Sequence, residues 1–163
     1  MKALEKFTLF LNRVLVWIGG AFILAMIVLT CTNIFLRMVW VPVKGTFELM
    51  GYFGAVTTAF ALGYTQIKKG HIAVDVLVMS FSAKTRRILD VINSLICLIF
   101  FGLVAWQIAR YAGVLRSTGE VTETLRIIYY PFTYGIAVGC GILALVFLND
   151  FLKAMIPGKE GEK

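Results

Sequence analysis

Four long runs of uncharged, mostly apolar residues, each bracketed by charges, constrain this chain more than any other feature. A helix that crosses a bilayer needs about 20 such residues, at about 1.5 Å of rise each. The runs cover about 14–36, 49–67, 88–109 and 127–148. Arg13 and Arg37 bound the first, Glu48 and the Lys68-Lys69 pair the second, Arg87 and Arg110 the third, and Arg126 and Asp150 the fourth. Of the 163 residues, 60% are hydrophobic and only 15% charged, against about 25% charged in soluble chains. A chain this small cannot hide that much apolar surface in its own core. The sequence therefore reads as an all-α integral membrane protein, a single domain over 1–163 with four transmembrane helices. A soluble enzyme, a secreted disulfide scaffold and a disordered chain are excluded.

The net charge of +7 is a topology signal. The basic residues fall in short segments between the runs, with no basic stripe interleaved with aromatics, so no nucleic-acid partner is expected. Eleven of the sixteen Lys and Arg lie in the N-terminal tail, the loop after the second run and the C-terminal tail. Five (Arg37, Lys44, Arg110, Arg116, Arg126) lie in the other two loops. The positive-inside rule then places both termini and the middle loop in the cytoplasm. The first run exceeds the roughly 7–15 apolar residues of a secretory signal, and no small-x-small cleavage site followed by a polar start is visible, so it reads as a retained span. Trp40, Trp106, Tyr111, Tyr129 and Tyr130 fall near the outer interface and Trp17 and Tyr64 near the inner one, the level that amphipathic rings prefer.

The interiors of the runs hold no ionisable residue at depth, where such groups usually mark ion or proton pathways. Cys31, Cys97 and Cys140 lie in three different runs without CxxC spacing, and the only histidine, His71, is in a loop. A deep-carboxylate antiporter, a haem anchor with paired axial ligands and a thiol oxidoreductase are disfavoured, and no cofactor or metal is expected. The polar groups within the runs are mild, among them Thr30, Asn33, Thr57, Asn93 and Thr133, and suit interhelical contacts.

Small residues recur at helical spacing. Gly51, Ala55, Ala59 and Gly63 fall at every fourth position of the second run, and Gly135 and Gly139 make a GxxxG pair in the fourth. Small side chains let helices approach closely in lipid. They serve either internal packing or docking of another membrane protein, and the sequence leaves both open. In the middle loop, residues 72–81 (IAVDVLVMSF) are apolar but too short to span. Wound as a helix, they set His71, Asp75 and Ser82 opposite Val74, Leu77, Val78 and Phe81, which suits a short interfacial amphipathic helix over about 72–82 lying on membrane lipid.

These residues resemble a known family. Lys69-Gly70-His71-Ile72-Ala73-Val74-Asp75, just after the second run, is similar to the "GHIxVD" segment of the small membrane subunit (DctQ type) of tripartite ATP-independent periplasmic (TRAP) transporters. Asn33-Ile34-Phe35-Leu36-Arg37 resembles the aromatic-and-arginine close of that family's first span. Phe47-Glu48-Leu49 stands where the family commonly has an acidic residue, and Pro131 with Gly135 resembles its opening of span four. The chain departs from the pattern at Lys44-Gly45-Thr46-Phe47, where a tryptophan is frequent, and at Ala73, where an arginine is.

The resemblance implies an accessory subunit of the bacterial inner membrane in a sodium-coupled symport system for organic acids of the C4-dicarboxylate or sialic acid type. It implies two protein partners. One is a large multi-helix permease subunit that holds the substrate and sodium sites and moves as an elevator; the other is a periplasmic substrate-binding protein. The small-residue faces would then meet the permease or close the bundle. Arg37 and Glu48 would pair or anchor the first outer loop. Arg116, Glu120, Glu123 and Arg126 would form part of the surface on which the binding protein docks. The alternatives are an autonomous small oligomeric channel or carrier, or a membrane anchor for another complex.

Overall fold

The computed structural model describes residues 2–69 and 82–155. His71, Asp75 and nearly all of the expected interfacial helix lie outside them. The described residues form four helices: α1 (Lys2–Val39), α2 (Thr46–Ile67), α3 (Ala83–Thr118) and α4 (Tyr130–Met155). Three are long and apolar enough to cross a membrane, over Leu4–Val39, Lys84–Thr118 and Tyr130–Met155. The 22 residues of α2 include three glycines, four threonines and two tyrosines, so no long stretch of it is as apolar as those three spans.

Two helices outrun their apolar stretches. The 38 residues of α1 extend for about 57 Å and the 36 of α3 for about 54 Å, against a hydrocarbon core of about 30 Å. Charged turns at their ends therefore project into the interfaces, or the helices tilt. The fourth apolar run opens at Ile127, yet α4 begins at Tyr130, because Ile128 instead makes an antiparallel bridge to Val121 in the preceding loop.

α4 is the hub. It packs along α3 on one side and against α2 and α1 on the other, while α1 also packs on α2. Leu15, Val56, Ala59, Phe60 and Ile142 form the buried cluster of α1, α2 and α4, with Leu11, Phe22, Phe132 and Ile136 around it. On the other side, Phe101 of α3 stacks on Phe147 of α4 with centroids 5.8 Å apart. Half of the apolar window of α4 is buried, against 11% for α1 and 6% for α3.

Polar contacts tie the helices at the end where the chain starts. Lys153 Nζ of α4 donates to Glu5 Oε1 of α1 at 2.8 Å, and this hydrogen bond and the lysine charge hold the Glu5 carboxyl below its ordinary range. Gln66 Nε2 of α2 donates to Asp150 Oδ2 of α4 at 3.1 Å. Arg87 at the start of α3 donates from Nε and Nη2 to the carbonyls of Ala154 and Met155, at 2.7 and 2.8 Å. Those carbonyls lie at the α4 C-terminus and have no partner within their own helix, so the guanidinium caps it. The exposed ion pair adds about 0–1 kcal/mol, so its main meaning is topological.

Beside them, Asn12 of α1 is buried. Its Nδ2 donates to the Thr8 carbonyl at 2.8 Å, and its Oδ1 sits where a Cβ on Gly63 would stand. Gly63→Ala is therefore expected to cost about 1–3 kcal/mol by overpacking. Asn12→Ala in the same chain should recover much of that loss, as read by thermal unfolding in detergent.

Candidate functional site

The small-residue stripe of α2 divides between two surroundings. A four-residue step advances about 40° around a helix, so the three steps from Gly51 to Gly63 turn the stripe by about 120°. Ala59 and Gly63 consequently lie buried against neighbouring helices, while Gly51 and Ala55 are exposed. Gly139 of α4 meets the buried half: a Cβ there would come within 2.7 Å of the Ala59 carbonyl oxygen. A Cβ on Gly135 would make ordinary contact with Val56 at 3.6 Å. Ala59, Gly63, Gly135 and Gly139 thus serve the bundle itself.

The exposed half lies in an open groove of about 430 Å³ near the end of the bundle away from the chain start. Gly51 and Ala55 line it together with Phe47 and Tyr52 of α2, Tyr129, and Phe132 and Ile136 of α4. Its aromatic wall is pre-ordered. Tyr52 stacks between Tyr129, at 5.6 Å, and Phe132, at 5.4 Å, while Phe47 stands 84% exposed.

Glu48 also lines this groove and organises the surface at this end of the bundle. Its two carboxylate oxygens accept the backbone N–H groups of Thr124, at 2.7 Å, and Leu125, at 3.2 Å. Desolvation pushes the Glu48 carboxyl up. The hydrogen bonds from these amides and from the Thr124 and Thr122 side chains outweigh that effect and hold it below the ordinary carboxylate range. Of the two roles expected for Arg37 and Glu48, pairing or anchoring the loop between α1 and α2, no ion pair between them is formed among the described residues. Arg37 is exposed at the end of α1, and the outer-loop amides take the carboxylate instead. The loop between α1 and α2 is held by other residues. Asn33 Oδ1 accepts the Val43 N–H at 2.8 Å, and the Thr46 hydroxyl donates to the Val43 carbonyl at 2.8 Å. Gly45 then turns the chain at φ 74°, and Leu125 occupies the place of its missing Cβ, so a side chain there is opposed by both backbone and space.

The loop between α3 and α4 is built as a rigid turn. Thr122 N–H donates to the Ile127 carbonyl at 3.0 Å and Arg126 N–H to the Thr122 carbonyl at 3.1 Å. The Ile127 N–H donates to the Thr122 hydroxyl oxygen at 3.2 Å. Arg126 adopts a left-handed φ of 51° to close the turn. The Tyr129 hydroxyl donates to Glu120 Oε2 at 2.6 Å. The side chains of Glu120, Glu123 and Arg126 in this turn, and of Arg116 in the last turn of α3, are all exposed. Pro131 sits in the first turn of α4, where a missing N–H costs nothing.

Sequence reasoning missed the polar contacts of Thr8, Asn12, Gln66 and Asp150 at the end of the bundle where the chain starts. The first apolar run was bounded by Arg13, so Thr8 and Asn12 fell in what read as a tail. Their i, i+4 spacing was the available signal.

No curated protein and no solved structure matches the chain significantly. The family described as "Tripartite ATP-independent periplasmic transporters, DctQ component" matches residues 26–156. Because that match runs from the middle of α1 through the end of α4, the chain belongs to the DctQ family, the small permease component of TRAP transporters and not an enzyme family.

Proposed function

We propose that this chain is the accessory small permease subunit of a sodium-coupled TRAP transporter for organic acids, of the C4-dicarboxylate or sialic acid type. It packs beside the large elevator-type subunit, enlarges that subunit's fixed scaffold and offers part of the outer docking surface for the substrate-binding protein. The family match over residues 26–156 carries this reading. The fold supports it through two long helices whose apolar windows are only 11% and 6% buried within the chain.

In this arrangement the chain crosses the inner membrane four times, with both ends in the cytoplasm. Parity supports α2 as the fourth crossing. Three crossings would leave the chain ends on opposite sides, yet Glu5 and Lys153 are hydrogen-bonded. Glu48 at one end of α2 meets the outer turn, and Gln66 at the other meets Asp150, so α2 runs from one polar end of the bundle to the other. The lysine and arginine bias gives the direction.

The pinned turn at 119–129 is the docking surface in this reading. Arg126→Gly removes a charge at a φ that glycine adopts freely, so it tests charge without straining the turn. It should weaken uptake at limiting binding protein while leaving the amount of assembled membrane complex unchanged.

Purification of the chain from native membranes in mild detergent tests the whole reading. A stoichiometric many-helix permease should remain bound, and deletion of this chain should abolish uptake even with the permease present. A homogeneous oligomer of this chain alone that conducts ions in liposomes would overturn the proposal.

A further inference from the structure

Asn93 carries an amide to the outside of the bundle at membrane depth. The middle of the third apolar run falls near residues 98–99, so Asn93 lies about 8 Å from the bilayer centre at about 1.5 Å per residue, well within a hydrocarbon core of about 30 Å. Its side chain is exposed. Among the described residues, its only partner is the Cys97 thiol, which donates to Oδ1 at 3.8 Å. Among the described residues neither amide hydrogen meets an acceptor. The hydroxyls of Thr30 and Thr58, by contrast, donate to carbonyls four residues back, and Asn33 Oδ1 accepts a loop amide. A free amide facing lipid is costly, and polar side chains at this depth normally face another helix.

The rest of α3 shows which flank this is. Ser94, buried, and Phe101, stacked on Phe147, mark the line that faces α4. Asn93 and Leu95 therefore point about 100° to either side of that line. On the Leu95 flank, the exposed residues Ile88, Leu95, Ile99 and Trp106 offer lipid nothing polar except the edge of an indole. On the Asn93 flank stands Asp90, exposed and about 13 Å from the centre, near the inner edge of the core. The two flanks of one helix thus differ in chemistry at the same depth.

We infer that a transmembrane helix of the large permease subunit covers the Asn93 flank of α3, presenting a hydrogen-bond acceptor to the Asn93 amide and a donor or cation opposite Asp90, while the Leu95 flank faces lipid. This rests on the accessory-subunit reading and assigns the face through which that reading works. The groove at Gly51 and Ala55, which Glu48 and Thr133 also line, does not by itself identify an occupant; the Asn93 amide calls for a hydrogen-bond acceptor.

The test uses the complete transporter in native membranes, with p-benzoylphenylalanine placed at Asn93 or at Leu95 and irradiated. A covalent adduct with the permease is expected from position 93 and only lipid adducts from 95. Asn93→Leu, which removes no buried contact, should lower the permease retained through detergent washing several-fold, and Asn93→Gln should restore most of it. Permease adducts from 95 and not from 93, or equal adducts from both, would overturn the face assignment. So would full retention in Asn93→Leu. In each of those cases the complex still forms and the accessory reading stands. A wild-type chain that brings down no permease removes that reading, and the face assignment with it.

Discussion

Gly139→Leu is expected to destroy the seam between α2 and α4, whereas Gly141→Leu, two residues away in the same helix, should be nearly silent. A Cβ at position 139 would stand 2.7 Å from the Ala59 carbonyl oxygen and 2.9 Å from the Ala59 Cβ. Both belong to the backbone region of a packed helix, so no flexible tip is available to move aside. The helices would have to separate, taking the cluster of Val56, Phe60 and Ile142 with them. Overpacking by one or two methylenes costs about 1–3 kcal/mol, and a whole leucine against backbone should cost about 3 kcal/mol or more. At position 141 no atom lies within 4 Å of the added Cβ, and the expected change is about 0.5 kcal/mol or less. Thermal unfolding of the purified chain in detergent separates the two. Equal stability of both variants would show that α2 and α4 do not approach at this seam.

Glu48→Gln should release the outer turn while leaving the bundle folded. In the ionised state, both oxygens of Glu48 accept backbone N–H groups; an amide offers only one acceptor oxygen and turns an N–H₂ donor toward the other backbone donor. Hydrogen exchange at Thr124 and Leu125 should lose most of its protection, with the middle of α2 unchanged. Transport should fall at limiting binding protein if the turn is the docking surface. The pH dependence has a fixed sign. The folded carboxyl titrates below its ordinary value, so its contribution is complete above the unfolded-state pKa and is lost as pH falls through the lower, folded value. Protection at Thr124 and Leu125 should therefore fade on acidification in the native chain. In Glu48→Gln it should be low throughout. Protection that is the same in both chains at every pH would mean that Glu48 does not hold the turn.

Much of the fold was legible because hydrocarbon leaves few options. A backbone without water must satisfy its own hydrogen bonds, so long uncharged runs become helices, and the structure has a helix at each of the four. Their ends were less legible. α1 begins well before Val14, since a helix continues through Lys and Arg wherever they reach the interface, whereas hydropathy stops at the first charge. Which of the two, pairing or anchoring the loop, Arg37 and Glu48 do was not legible for another reason. The two residues flank a short loop in sequence, but the turn near Thr124 and Leu125, distant in sequence, supplies two donors at Glu48.

The amino-acid sequence alone determined the membrane class, the helical content and the family, since each follows from composition, run length or short ordered motifs. Tertiary structure decided which side of each helix does what. A four-residue repeat drifts by about 40° per step, so the stripe Gly51-Ala55-Ala59-Gly63 reads as one face in sequence and is two faces in space. Whether Gly139 meets a neighbouring backbone and Gly141 meets nothing depends on where α2 crosses α4. The same holds for Asn93 and Leu95: two polar or apolar letters on a page become opposite flanks only once Ser94 and Phe101 fix the side that α4 occupies.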